Sequence, residues 1–227
     1  MSPTKILIIC TSADKLQDTA TGLWAEELAA PYFLFQEAGF SVTVASTKGG
    51  EIPLDQGSLQ GNFLTEAARK FLDDETCKQL IKASTPISSI KFEEFDAAFL
   101  PGGHGACVDF PSNATIKSGL EQMLHAGKVV GSVCHGPMCF VGLKAADGQP
   151  IVKGKKVTCF TDSEERAVGK EKLVPFLLES KLKELGGQFE CVPDWHPFAL
   201  RDGNLVSGQN PMSSHRTAEL IIEALKK

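Results

Sequence analysis

The sequence predicts an α/β protein, a doubly wound, mainly parallel sheet with helices on both faces. Short apolar runs such as Lys5-Ile6-Leu7-Ile8-Ile9-Cys10 and Phe95-Asp96-Ala97-Ala98-Phe99-Leu100 read as strands buried on both faces. Segments of helical periodicity alternate with them over the whole chain. Residues able to do chemistry gather just after strand ends, where open parallel sheets bind ligands.

The 227 residues are 42% hydrophobic and 22% charged, which suits one domain spanning 1–227. A net charge of -5, with Lys and Arg interleaved among acids, argues against nucleic acid as the main partner. No uncharged run approaches the ~18 residues needed to cross a membrane. Met1-Ser2-Pro3-Thr4-Lys5 leads into a strand without a signal-peptide apolar region, so a cytoplasmic protein is expected. The 7 cysteines are odd in number and irregularly spaced, and form no CxxC, so neither a disulfide framework nor a zinc site is expected. Cys10, Cys159 and Cys191 fall in apolar strands and read as small core residues.

In order, the Lys5–Cys10 strand opens into the loop Thr11-Ser12-Ala13-Asp14. A helix then ends at Gly39, with Pro31 placed in its first turn and Glu26 and Glu27 just before it. Phe40–Ser46 is a second strand. Residues 48–62 are turn-rich, and 65–84 carry helical periodicity with a break and restart at Asp73-Asp74-Glu75. The stretch of about 48–84 therefore reads as an inserted or cap-like segment. The Phe95–Leu100 strand, a helix over Asn113–Ala126 and the apolar run Val129–Val133 follow. Further on come a short apolar helix from Pro137 to Leu143, a strand over Gly154–Phe160, a helix over Pro175–Leu185 and a short strand Phe189–Val192. A hairpin across Asp202-Gly203-Asn204 precedes a closing helix over Ser213–Leu225, capped by Ser213 or Ser214.

The chemistry centres on Val129-Val130-Gly131-Ser132-Val133-Cys134-His135-Gly136-Pro137. A strand meets a helix start at Cys134, so a tight turn pushes that side chain out of the chain's path, as in a nucleophile elbow. The free N–H groups and dipole of the next helix would favour a thiolate. The plainer alternative is a buried structural cysteine. At the end of a neighbouring strand, Pro101-Gly102-Gly103-His104-Gly105 forces a sharp turn whose N–H groups could hold an oxyanion, although such a run is also an ordinary turn. His104 could line a pocket or sit exposed. Cys139 reads as packed core. Cys107 could be a second redox-active thiol near the site or at a dimer surface.

Together these pieces resemble the DJ-1/PfpI superfamily, and within it the Hsp31-like, glutathione-independent glyoxalase III branch. The resemblance covers nearly the whole chain. It rests on Thr21-Gly22 with Glu27 and Pro31, Pro101–Gly105, Val133–Pro137, Phe160-Thr161-Asp162 with Glu165, and Val206–Pro211 with Ser214-His215. It implies a flavodoxin-like, class I glutamine amidotransferase-like fold and a homodimer. By position it makes Cys134 the nucleophile, His135 its neighbour, Glu27 a buried acid on the sulfur and Glu165 the acid partner of the histidine. Gly102, Gly103 and the His135 N–H fall on the oxyanion and substrate side. His196-Pro197-Phe198 departs from a His-Pro-Glu dyad, which disfavours glutaminase activity and leaves His196 structural or at the pocket rim.

The resemblance further implies conversion of methylglyoxal or a similar 2-oxoaldehyde to a 2-hydroxy acid through a Cys134 hemithioacetal, with no cofactor and no metal. Glu27 and His135 both remain open as the base. A holdase chaperone or redox sensor, a protein deglycase and a cysteine peptidase are the alternative readings.

Overall fold

The computed structural model describes residues 3–226; Met1, Ser2 and Lys227 lie outside the described residues. Strand β1 (Lys5–Cys10) lies inside the sheet, with a parallel neighbour on each edge. Successive side chains leave a strand on opposite faces. Ile6, Ile8 and Cys10 therefore enter one core and Leu7 and Ile9 the other, all of them buried.

A small hairpin, β2 (Lys15–Leu16) with β3 (Thr19–Ala20), precedes helix α1 (Ala25–Glu37). Strand β4 (Ser41–Ser46) lies parallel to β1, with Ser41 opposite Lys5. After two 3-10 turns come α2 (Glu66–Asp73) and α3 (Glu75–Lys82). The restart expected at Asp73-Asp74-Glu75 is present. Asp74 caps α3 by accepting from the Cys77 N–H at 2.9 Å, as Thr65 caps α2 from the Ala68 N–H at 3.1 Å. The edge strand β5 (Thr85–Pro86) closes this side of the sheet.

The chain then crosses β1. Strand β6 (Ala97–Leu100) pairs with the other edge of β1, followed by α4 (Ala106–Asp109), α5 (Ala114–His125) and β7 (Val129–Val133). A short parallel pair, β8 (Lys156–Val157) with β9 (Gln188–Phe189), brackets α6 (Asp162–Ala167) and α7 (Leu178–Glu184). The hairpin β10 (Ala199–Asp202) and β11 (Leu205–Gly208) adds β11 beside β7, and α8 (Ser214–Leu225) ends the described chain.

The 7-stranded sheet runs β10-β11-β7-β6-β1-β4-β5, parallel throughout except for the β10–β11 hairpin. Strand order reverses beside β1, and the loops leaving β1, β6 and β7 open a crevice at that carboxyl edge. Phe35, Phe99 and Ile221 pack α1 and α8 onto one face. Leu120 and Met123 of α5 cover the other, against Leu7 and Leu100.

Several boundaries differ from the sequence reading. Helix α1 starts at Ala25, so Pro31 lies inside it and Glu26 and Glu27 form its first turn. Leu28, Tyr32 and Phe35 are each buried on its inner side, and tertiary packing of this kind outweighs the hydrogen bond that a proline removes. The strand expected over 154–160 is only Lys156–Val157, because the Thr158 and Phe160 N–H groups are drawn to Ser207 Oγ and the Cys134 carbonyl, both at 2.9 Å, outside any ladder. The strand expected over 189–192 shrinks to Gln188–Phe189, which leaves Cys191 exposed rather than in the core. The turn after Cys134 is a 3-10 helix over Gly136–Phe140, and α7 begins at Leu178 instead of Pro175. Ser213 stands at the N-cap of α8, but its hydroxyl accepts from the Phe198 N–H at 3.0 Å. Cys107, Cys139 and Cys159 are buried. Burial is the main cause holding the Cys107 thiol well above the usual range, which removes it as a redox-active surface thiol.

Phe99 is fully buried, its ring edge-on to Phe35 at 5.9 Å. Phe99→Ala is expected to lower unfolding free energy by about 3–5 kcal/mol, measured by urea titration.

Candidate active site

Cys134 follows directly on β7 in a left-handed conformation, with φ 59°. A non-glycine residue there costs about 1–2 kcal/mol. Hydrogen bonds on both sides hold it: the Cys134 N–H donates to the Gly208 carbonyl at 3.0 Å, and its carbonyl accepts from the Phe160 N–H at 2.9 Å. The bend aims the sulfur into the crevice between β6 and β7.

Glu27 comes from α1, more than a hundred residues earlier in the chain. It is fully buried, and its Oε2 accepts from the Gly102 N–H at 2.6 Å. Its Oε1 has no conventional hydrogen-bond partner among the described residues, and the carboxyl interacts with the Cys134 thiol. Burial pushes the carboxyl up to about 8; Glu26 and Asp55 add to this, while Gly102 and Cys134 oppose it. Burial, and then the charge of Glu27, likewise holds the Cys134 thiol well above its usual range, with only the Gly103 N–H working the other way. Burial and the neighbouring acid thus work against the thiolate that the turn following Cys134, five residues of 3-10 helix, was expected to favour.

On the other side of the sulfur, His135 Nδ1 lies 3.3 Å from Sγ. Its Nε2 is 2.6 Å from Glu165 Oε2, and Glu165 Oε1 is 2.7 Å from His104 Nε2. The two imidazoles stack with centroids 4.0 Å apart. All three side chains are buried. Burial works to raise the Glu165 carboxyl, but His135 and the two imidazole hydrogen bonds override it and hold the carboxyl well below the usual range. Burial and the neighbouring His135 push His104 down to about 4. Lys170 Nζ sits 3.4 Å from His104 Nδ1 and 3.9 Å from Asp55 Oδ2.

His104, His135 and Glu165 form the cluster, among the described residues, whose ligand atoms approach within 4.8 Å of one another. Both oxygens of Glu165 already face the imidazole Nε2 atoms, so a cation there would have to displace both hydrogen bonds.

A cavity of about 110 Å³ lies over the sulfur, walled by Trp24, Phe63, Phe160, Val168 and Trp195, with Lys170 at its side. Glu164, next to Glu165, faces away from it. Its Oε1 accepts from the Trp195 N–H at 2.9 Å and Asn210 Nδ2 at 2.8 Å, while its Oε2 closes a capping box with Thr161. It thereby fixes the Trp195 wall.

The DJ-1/PfpI family model matches residues 16–224. The chain belongs to the DJ-1/PfpI family. Glutathione-independent glyoxalase HSP31 of Saccharomyces cerevisiae is 32% identical over 238 residues, covering 100% of both chains. The crystal structure of glyoxalase III from Candida albicans superposes with a TM-score of 0.88 at 28% identity, covering 97% of both chains. The Rapid Encystment Protein of Francisella tularensis gives a TM-score of 0.93 at 34% identity, over 98% of this chain and 99% of that one. Within the family the chain sits with the Hsp31-like members, and its sheet is the flavodoxin-like, class I glutamine amidotransferase-like one.

In this DJ-1/PfpI protein the structure brings Cys134, His135, Glu27 and Glu165 together. Gly102 departs from expectation: its N–H is committed to Glu27, so it is not an oxyanion donor. A Cβ there would lie 2.6 Å from the His135 nitrogen, so glycine is required for β6 to approach the bend this closely. The Gly103 N–H faces the sulfur, at a φ of +85°. The His135 N–H has no acceptor among the described residues. His196 is exposed and does not line the cavity. His104, which the sequence left as pocket-lining or exposed, is buried and lines the cavity; Lys170, Glu164 and the apolar walls were not marked by sequence as parts of the site. The Thr161-x-x-Glu164 spacing is a capping-box signal that could have revealed Glu164.

The buried Glu27 carboxyl also couples stability to pH. Between its ordinary 4.5 and about 8, the native state retains a proton that the unfolded chain releases. Wild-type stability is therefore expected to fall as pH rises through that window, by roughly a few kcal/mol. Glu27→Gln should remove this fall, so the variant gains on wild type with rising pH. Urea midpoints from pH 4.5 to 8.5 measure it; parallel curves for the two proteins would contradict the assignment.

Proposed function

We propose that the protein is a glutathione-independent glyoxalase, converting methylglyoxal or a similar 2-oxoaldehyde to the 2-hydroxy acid. The observation that carries this reading is the placement of the Cys134 sulfur between an acid that holds its proton, Glu27, and an imidazole nitrogen 3.3 Å away, beneath a small apolar-walled cavity. Full-length relatives named glutathione-independent glyoxalases support it.

The chemistry follows from where the protons sit. His135 gives its Nε2–H to Glu165, so Nδ1 is the nitrogen that takes the thiol proton as sulfur attacks the aldehyde carbon. The Gly103 and His135 N–H groups face the oxyanion that forms. Protonated Glu27 donates to that oxygen, giving a neutral hemithioacetal and leaving itself a carboxylate. The sulfur is now bonded to carbon and no longer repels it. Glu27 Oε1 then removes the hydrogen from the sulfur-bearing carbon, while His135 protonates the neighbouring carbonyl oxygen, and an enediol results. Return of the proton from Glu27 to the adjacent carbon, and of the enediol C1 hydroxyl proton to His135, yields a thioester. Water, deprotonated at the Glu27 carboxylate, cleaves it to the hydroxy acid while His135 returns its proton to the departing sulfur, which restores Glu27, His135 and the thiol. This assigns Glu27 as the carbon base and His135 as the proton carrier for sulfur and oxygen. A base near neutral pKa suits both transfers.

We also assign residues 1–227 to one domain, with the 48–84 segment supplying Phe63 as a wall, and the protein to the cytoplasm as a homodimer; light scattering tests the dimer. A holdase activity is the second reading, favoured by Phe63, Val168 and Trp195, which line the cavity and are 36–39% exposed. It is separated from the first by asking whether Cys134→Ala still protects clients from aggregation.

Cys134→Ala should abolish lactate formation from methylglyoxal in glutathione-free buffer, by at least about 10³-fold. Retained turnover would remove Cys134 from the reaction. Glu27→Gln, with an unaltered circular dichroism spectrum, should lose about 10²–10⁴-fold in kcat.

A further inference from the structure

Behind His135 the polar chain continues further than a nucleophile, base and acid require. Glu165 meets a second imidazole through its other oxygen at 2.7 Å, and that ring meets an ammonium at 3.4 Å. Lys170 is in turn set against Asp55, which accepts from Thr21 Oγ1 and the Gly57 N–H, both at 2.9 Å. The bonding capacity of each group fixes the proton pattern. An ammonium can only donate. His104 Nδ1 must then be an acceptor, so the proton of a neutral His104 lies on Nε2 and is donated to Glu165 Oε1. Glu165 thus accepts from His104 on one oxygen. Its remaining oxygen is satisfied only if His135 also carries its hydrogen on Nε2, leaving Nδ1 unprotonated and facing Sγ.

We propose that Lys170 and His104 are positioning residues that hold the shared Glu165 carboxylate against His135, so that Glu165 fixes His135 with the nitrogen facing Cys134 free to accept its proton. The proposal rests on the glyoxalase reading for its kinetic consequence but not for the proton pattern itself. The chain runs ammonium, imidazole, carboxylate, imidazole, thiol, with the donations from both ends converging on Glu165. A Lys170 replaced by an apolar side chain leaves His104 Nδ1 without a donor. His104 can then turn its proton to either nitrogen, and the tautomer carried on Nδ1 has no hydrogen to give Glu165. The other ionisable groups facing the chain are Asp55 beside Lys170, Cys107 of α4 near Glu165 and Lys170, and Glu27 and Glu164 near the thiol.

The test is long-range ¹H–¹⁵N spectroscopy of the histidines in the full-length protein. In wild type, His104 and His135 should both show the Nε2–H tautomer at pH 7; a proton on Nδ1 of neutral His104 overturns the proposal without any variant. In Lys170→Met, His104 should become a mixture of tautomers and His135 should lose its uniform Nε2–H form; a His135 spectrum unchanged from wild type overturns the proposal. With methylglyoxal, kcat should fall about 10- to 100-fold, the range for outer partners that orient a site histidine, at little change in KM. Lys170→Arg, which keeps a cation at this position, should restore both the tautomer and most of kcat. An unchanged tautomer with KM raised and kcat intact would make Lys170 a substrate-binding group and overturn the positioning role. If wild type proves inactive on 2-oxoaldehydes, the spectra still decide the proton pattern, so failure of the glyoxalase reading and failure of this one are distinct results.

Discussion

The 2.6 Å hydrogen bond from the Gly102 N–H to Glu27 is the constraint on which the site depends. It holds a carboxyl with no solvent exposure beside a thiol that is 3% exposed. Two acids in one dry space cannot both ionise cheaply, and they titrate as a pair. Burial and the neighbouring acid both work to hold the proton on the sulfur, in contrast to the exposed, low-pKa thiols typical of nucleophilic and redox-sensing cysteines. On the proposed mechanism that hold is conditional. Glu27 gives up its proton only when an oxyanion forms beside it, and becomes a base only when sulfur has been consumed in a bond.

The backbone makes this juxtaposition possible at modest cost. A left-handed Cys134 is disfavoured by about 1–2 kcal/mol. The two hydrogen bonds flanking it, to Gly208 and from Phe160, contribute about 0.5–1.5 kcal/mol each. Strain and pinning are therefore comparable, and the bend persists without drawing on the rest of the fold. The pins come from elements that the sheet order already places alongside: β11 pairs with β7 in parallel register, Gly208 opposite Val133. The 158–161 segment abandons regular pairing after β8 and sends its N–H groups to Ser207 and Cys134 instead.

What could be read from the sequence, and what could not, follows the range of the forces involved. Runs without charge such as Ile6–Ile9 and Val129–Val133 announce buried strands because burial on both faces leaves no room for charged residues, and the one hydroxyl, Ser132, is bonded to the Leu100 carbonyl. The restart at Asp74 is legible because capping is local. The start of α1 was misplaced because a proline is a local signal, whereas the packing of Leu28, Tyr32 and Phe35 that overrides it is not. In the site, Cys134 and the PGGHG turn stand out through their position at strand ends. Glu27 and Glu165 were located by family resemblance, since nothing within a few residues of either marks it as buried. His104 lay in plain view inside the turn, yet its role depends on a carboxylate 61 residues away. The cavity walls Trp24, Phe63, Phe160 and Trp195 come from well-separated segments, and no short-range pattern in the sequence joins them.

The walls and the polar line beneath them act together. Apolar side chains enclose nearly all of the cavity, so water is scarce and every charge interaction inside it is strengthened. A small neutral dicarbonyl loses little hydration on entering such a space. A 2-hydroxy acid formed there is a carboxylate at neutral pH, placed beside Glu27 and above a sulfur that has just regained its lone pair. The low dielectric disfavours that charge, and the Lys170 ammonium and the Gly103 and His135 N–H groups offset only part of it. The same burial that raises the Cys134 thiol thus favours uptake of the uncharged substrate and expulsion of the charged product, so reactivity and turnover have one physical origin.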